Sequence, residues 1–272
     1  MVKDDISVGE KMSKLPLIIG HRGASAHAPE NTLAAFRMAI DAGADGIEFD
    51  VQLSNDGVPV VVHDGDLWRT GLREENVADL TAKQLGEVDV GSWFNAKHPK
   101  KADPAFSRET VPTLAQVLEL CRDFRGLIYI ELKVNVPDYI SLAAAVCDVI
   151  RDSPQLSQMI VKSFKLGAIP EVRHRLPEVQ TAALFEPTIL DYLRRRKQML
   201  ALAREFGAHQ ISLHYSLVTK KLGALAAAAQ MPITIWTADN PKWLRKCKKL
   251  GIGAIITNDP MKMIAAADKI KT

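Results

Sequence analysis

Short apolar runs alternate along the chain with longer stretches in which apolar residues recur every three or four positions. The first pattern marks buried strands and the second amphipathic helices. Strands are predicted over 17–21, 45–52, 127–133, 159–164, 179–185, 209–213, 232–236 and 254–257. Helices are predicted over 31–42, 113–123, 137–151, 188–206, 219–229, 241–250 and 260–270, with a shorter one ending at Arg175. Gly43 marks the end of the first helix, and Thr113 is placed to cap the second. A short extra strand over 58–62 follows the Asn55-Asp56-Gly57 turn. Eight strand–helix units in this order predict a parallel sheet closed into a (β/α)8, or TIM, barrel. An open doubly wound sheet is the alternative, but its Gly-x-Gly-x-x-Gly fingerprint is missing.

The rhythm breaks over 65–111, which holds Trp68, Trp93, Phe94 and many charges. An interruption of this length within an α/β protein is usually functional. We read it as an insertion after the second strand that caps the substrate site. Residues 1–14 are charged and polar and read as a loose tail, leaving 15–272 as one barrel domain. The balance of 35 basic against 32 acidic residues gives a net charge of +3, and it argues against a nucleic-acid partner. The basic runs at 194–197 and 242–249 read as solvated helix faces. Cys121, Cys147 and Cys247 are odd in number and widely spaced, so neither a disulfide framework nor a zinc site is indicated. The first residues lack the apolar core of a secretion signal, and no run is long enough to span or anchor in a membrane. A cytoplasmic protein is therefore expected. A homo-oligomer is compatible with the sequence.

Chemistry-bearing residues gather at strand ends, where α/β proteins build their sites. Glu48 and Asp50 share one face of a strand whose other face carries Ile47, Phe49 and Val51. Two carboxylates on one buried face repel and are costly to bury unpaired. A hard divalent cation relieves both problems. His21 and His63 sit at strand ends beside this pair and suit general acid–base work near neutrality. Arg22 and Lys133 suit a phosphodiester, with Arg22 able to bind it in two places. His27, His98, His174 and His209 lack such a setting, whereas His214, just past a strand, is within reach of the same face. Glu30 begins the first helix, where a carboxylate favours the helix dipole.

Read together, His21-Arg22-Gly23, Pro29-Glu30-Asn31-Thr32, Glu48-Phe49-Asp50-Val51 and His63-Asp64 resemble the glycerophosphodiester phosphodiesterase family. Tyr129-Ile130-Glu131-Leu132-Lys133, Lys162-Ser163-Phe164 and Trp236-Thr237 extend the likeness. So does Thr257-Asn258-Asp259-Pro260, although the family often has aspartate where Asn258 stands. Asp79-Leu80-Thr81 and Val111-Pro112-Thr113-Leu114 are similar to the two ends of the family's insertion. The resemblance implies that Glu131 joins Glu48 and Asp50 in holding one divalent cation, Mg²⁺ or Ca²⁺. It implies that Glu30 orients Arg22 or a histidine, and that Trp236 packs on glycerol carbons. The implied substrates are small glycerophosphodiesters such as glycerophosphocholine and glycerophosphoethanolamine, cleaved to sn-glycerol 3-phosphate and an alcohol. His21 is then the expected base and His63 the expected acid, and the nucleophile is either water or the glycerol 2-hydroxyl. Barrel phospholipases of the phosphatidylinositol-specific C type or the sphingomyelinase D type are the alternatives. So is a barrel that only binds glycerol phosphates, but such a protein would have lost part of the histidine and carboxylate set.

Overall fold

In a computed structural model, residues 15–133, 138–187 and 196–271 are described, with 196 and 197 described by their backbone alone. The expected tail over 1–14, the beginnings of the helices placed at 137 and 188, and the side chains of the basic run at 194–197 lie outside the described residues. Nine strands form one sheet: β1 (Leu17–His21), β2 (Gly46–Leu53), β3 (Pro59–Val61), β4 (Leu127–Leu132), β5 (Met159–Ser163), β6 (Gln180–Phe185), β7 (Gln210–His214), β8 (Ile233–Trp236) and β9 (Ala254–Thr257). The order is β1-β9-β8-β7-β6-β5-β4-β2-β3, and β1 also pairs with β2. All neighbours are parallel except β2 and β3. Eight parallel strands therefore close on themselves as the expected TIM barrel, and β3 is an antiparallel flap on β2.

The helices between strands are α1 (Leu33–Asp41), α5 (Leu114–Leu120), α6 (Tyr139–Ile150), α7 (Ala168–Arg175), α8 (Arg196–Glu205), α9 (Lys220–Ala228), α10 (Lys242–Leu250) and α11 (Pro260–Lys271). Three short helices, α2 (Trp68–Gly71), α3 (Ala82–Leu85) and α4 (Ser92–Lys97), belong to the insertion. Alternation along each strand sorts the side chains. Ile47, Phe49 and Val51 of β2 and Ile128, Ile130 and Leu132 of β4 face the helix layer and join Phe36, Leu142 and Val146. Ile19, Tyr129, Ile160, Ala182, Ala254 and Ile256 fill the barrel interior. Among them the Tyr129 hydroxyl meets Thr234 Oγ1 at 3.1 Å, and Thr234 donates to Gln210 Oε1 at 3.1 Å. A buried phenol is satisfied in this way without opening a void.

The insertion has two apolar clusters of its own. Leu67, Val77, Leu85, Val88 and Val90 pack on Val60 and Val62 beside β3. Phe94 and Phe106 pack on Ala28 and Ala35 at the head of α1. Gly91 lets these halves meet, because a Cβ there would lie 1.7 Å from the Phe106 carbonyl oxygen. Among the described residues, no helix is long and apolar enough to cross a membrane. Cys121, Cys147 and Cys247 are buried free thiols.

Candidate active site

The strand register assembles the site. His21 on β1 lies beside Glu48 on β2, Asp50 on β2 beside Glu131 on β4, and Glu131 beside Lys162 on β5. His21, Glu131 and Lys162 sit toward the C-terminal ends of their strands, the face on which TIM barrels carry their chemistry, and the register sets Glu48 and Asp50 beside them. Oxygens of Glu48, Asp50 and Glu131 lie within 4.8 Å of one another. Above them is a cavity of about 400 Å³ lined, among the described residues, by His21, Arg22, His63, Glu131, Lys133 and Lys162, with Phe164, Glu186, Trp236 and Thr237 across from them.

The loop after β1 shows why its motif takes the residues it does. Arg22 and Asn31 both adopt left-handed backbone, with φ of 53° and 58°. That region is strained for arginine and tolerated by asparagine. Gly23 follows with φ of +82°, and a Cβ on it would lie 2.5 Å from the carbonyl carbon of Ala35. Only glycine lets the loop pack this closely on α1. Thr32 caps α1 by accepting from the Ala35 amide at 3.2 Å. The turned backbone aims Arg22 Nε at Asp50 Oδ2, 3.0 Å away, and lets Asn31 Nδ2 donate to the same oxygen at 2.9 Å.

Charges alternate through the site without a break. Lys162 Nζ lies 2.7 Å from Glu48 Oε1 and 3.1 Å from Glu131 Oε2. Lys133 Nζ lies 2.6 Å from Glu131 Oε1 and 3.0 Å from Asp50 Oδ1. Arg22 joins Asp50 to Glu30, at 2.7 Å from Glu30 Oε1. Burial works against the charges of Arg22, Glu30, Glu48, Asp50, Lys133 and Lys162, yet their partners win. The Asp50 carboxyl is held well below the ordinary carboxylate range by Arg22, then Lys133 and His63, against its burial. Burial would raise Glu30, but the hydrogen bond from Arg69 and the charge of Arg22 bring it to about 2. Lys162 is raised above an ordinary lysine, because Glu48 and Glu131 outweigh its burial.

The two histidines face the cavity with different partners behind them. His21 Nδ1 is 2.6 Å from Asn258 Oδ1. The Asn258 amide is oriented by Asp239, which accepts from its Nδ2 at 2.8 Å and from its backbone N–H at 2.8 Å. With its nitrogen committed to Asp239, Asn258 offers only its oxygen, so His21 carries its proton on Nδ1. Nε2 is then free on the cavity side, 3.9 Å from Glu48 Oε2. Burial lowers the His21 pKa below the usual 6.5, only partly countered by Glu48. His63 Nδ1 lies 2.6 Å from Asp64 Oδ1 instead. Gln52, which continues the Glu48 and Asp50 face of β2, fixes this turn by donating to the carbonyls of Val62, His63 and Asp64 at 3.2, 3.0 and 2.6 Å.

Every residue expected at the site is therefore brought to it, with Glu30 behind Arg22 rather than on the cavity wall. His214 packs edge-on against Trp236, with ring centroids 5.4 Å apart, and bonds Ser216. His27 pairs with Asp259, and His209 meets Thr181. Lys162, Gln52, Asp239 and Arg69 were not expected there. A lysine inside the apolar run 159–164, and a glutamine continuing the Glu48, Asp50 period, were the legible signals for the first two. Arg69 lies in the insertion, where periodicity is silent.

The carboxylate cluster offers only oxygen donors, which fits a hard divalent cation such as Mg²⁺ or Ca²⁺. Asn31 supports Asp50 in the way that ligands are usually held from behind, while Lys133 and Lys162 each bridge two of the carboxylates.

Comparison with known proteins agrees with this geometry. The family model described as "Glycerophosphoryl diester phosphodiesterase family" matches residues 21–262. The Bacillus subtilis (strain 168) protein YhdW is 35% identical over 243 residues, 89% of this chain and 94% of its own length. A glycerophosphodiester phosphodiesterase of Caldanaerobacter subterraneus subsp. tengcongensis is 32% identical over 91% of this chain and 96% of its own. A phosphodiesterase of Oleispira antarctica, solved in complex with the product sn-glycerol-3-phosphate, superposes with a TM-score of 0.82 at 26% identity, covering 95% of this chain and 99% of that one. A barrel with these residues at its mouth, matched by the family model almost from end to end, belongs to the glycerophosphoryl diester phosphodiesterase family of phosphoric diester hydrolases.

Proposed function

We propose that the cavity hydrolyses small glycerophosphodiesters to sn-glycerol 3-phosphate and an alcohol, with His21 as base and His63 as acid. The observation that carries this reading is the pair of histidines with opposite partners on either side of one carboxylate cluster. His21, with its Nδ1 proton directed to the Asn258 oxygen and its pKa lowered by burial, has a lone pair at Nε2 available to take a proton from the nucleophile. His63 has a carboxylate at its back to offset the charge of an imidazolium, and it delivers a proton to the departing alcohol oxygen. Arg22 and Lys133 bind the phosphodiester oxygens and offset charge that grows on them. Glu30 restrains Arg22, and Trp236 with Phe164 gives the glycerol carbons an apolar wall.

Glu48, Asp50 and Glu131 would hold the divalent cation, which, when bound, supplies Lewis-acid polarisation of a phosphate oxygen. Lys133, paired with Asp50 and Glu131, also lines the cavity, where it can meet the substrate phosphate. The attacking group is water or the glycerol 2-hydroxyl, and a trapped cyclic phosphate would identify the second. Glycerophosphocholine and glycerophosphoethanolamine are the substrates to offer first, on the strength of the family and of the product in the Oleispira antarctica structure.

The test is release of glycerol 3-phosphate by the purified protein with Mg²⁺ or Ca²⁺ and with a chelator. Release is expected with metal and is expected to fall to background with chelator. In Glu131→Gln the metal titration is expected to move to higher concentration. Release that persists after exhaustive chelation would remove the carboxylate cluster from the reaction.

A further inference from the structure

Arg69 does not touch the cavity, yet it joins both of its working halves. Its Nη1 and Nη2 grip Glu30 at 2.8 and 2.7 Å, and its Nε donates to Asp64 Oδ2 at 2.7 Å. Glu30 is the residue that restrains Arg22 on the phosphate side. Asp64 is the residue that orients His63 through its other oxygen. The guanidinium lies 5.8 Å from the Trp93 ring, whose own Nε1 is tied to the Val90 carbonyl at 2.8 Å. Its side chain remains 40% exposed, so burial alone does not fix it. Three directed donors and an aromatic face do.

We infer that Arg69 is a positioning residue, supplied by the insertion, that sets His63 and Arg22 at a fixed separation across the cavity. The inference rests on the acid–base reading of His63 given above. Its physical basis is geometric. A guanidinium presents several N–H groups in one plane and can hold two carboxylates from different segments at once, which an ammonium cannot do with the same directionality. Without it, Asp64 keeps its bond to His63 but loses the second anchor that fixes its plane. Glu30 keeps Arg22 but loses its bidentate grip. Both working groups then sample wider positions, and small displacements of catalytic groups are expensive in rate. Role and origin fit together. The insertion adds no group to the chemistry, but its α2 delivers the brace that aligns groups from the loop after β1 and from the turn after β3.

Two variants and one direct readout test this. Arg69→Ala is expected to lower kcat by about 10- to 10²-fold while KM changes by about threefold or less, as for misplaced catalytic groups. Arg69→Lys is expected to recover only a small part of the loss, whereas free guanidinium ion added to Arg69→Ala is expected to restore kcat with saturation. In substrate-free protein, the hydrogen-bonded Nδ1 proton of His63 is expected as a downfield NMR resonance in the wild type, broadened or lost in Arg69→Ala and regained with guanidinium. An unchanged kcat in Arg69→Ala would overturn the inference, as would a loss confined to KM or full recovery in Arg69→Lys. An unaltered His63 resonance would do so as well. That resonance needs no turnover, so a protein that released no glycerol 3-phosphate would overturn the proposed reaction and leave Arg69 to be judged by NMR alone.

Discussion

His21 and His63 are the same side chain with opposite instructions. A neutral amide oxygen stands behind one ring and a carboxylate behind the other, each 2.6 Å from Nδ1. The sign for His21 follows directly. A base must be neutral to act, and burial lowers the His21 pKa below 6.5, so the ring stays neutral into mildly acidic solution. The acid limb of kcat/KM is therefore expected below pH 6.5, and a pH–rate profile of the metal-loaded enzyme would show it. A limb above that value would mean that the carboxylates, not burial, dominate the ring. Most of these residues were legible before folding, because period two put Glu48 and Asp50 on one face and the histidines lay at strand ends. Asp239 was not. It acts on His21 only through Asn258, and neither spacing nor residue type marks an aspartate that works at one remove.

At the scale of elements, the described ends of the regular units were legible within one to three residues, since helix and strand periodicities are set by burial on one face. The insertion was legible only as an interruption. Its short helices are held by clusters contributed in pieces, with Phe94 and Phe106 reaching back to Ala28 and Ala35, and no local pattern announces such a partner. Phe94 is 1% exposed, so Phe94→Ala is expected to cost about 3–5 kcal/mol locally. Hydrogen exchange should show the loss mainly in amides over 65–111, with the barrel strands still protected and turnover reduced through the loosened brace on His63. Equal loss of protection in β4 and β5 would show instead that insertion and barrel unfold as one unit.

For the whole molecule the decisive quantity is the charge balance at the barrel mouth. Glu48, Asp50 and Glu131 are matched by Arg22, Lys133 and Lys162. A divalent cation bound there leaves a surplus of positive charge that a phosphodiester monoanion partly offsets, so metal and phosphate are expected to bind cooperatively. Calorimetry should find glycerol 3-phosphate bound at least about tenfold more tightly with Mg²⁺ or Ca²⁺ than without, about 1.4 kcal/mol of coupling. Equal affinities would mean that metal and phosphate bind independently. Barrel closure itself followed from eight units in the right order, but closure has a bearing on synthesis as well. β1 is finished only when it lies between β2 and β9, and the bond that orients His21 spans 237 residues, from the first strand to the turn after the last. A ribosome thus releases both histidines and all three carboxylates long before it releases Asn258. The growing polypeptide therefore carries these groups through most of translation without the bond that orients His21, and that bond can form only after the last strand of the barrel has been made.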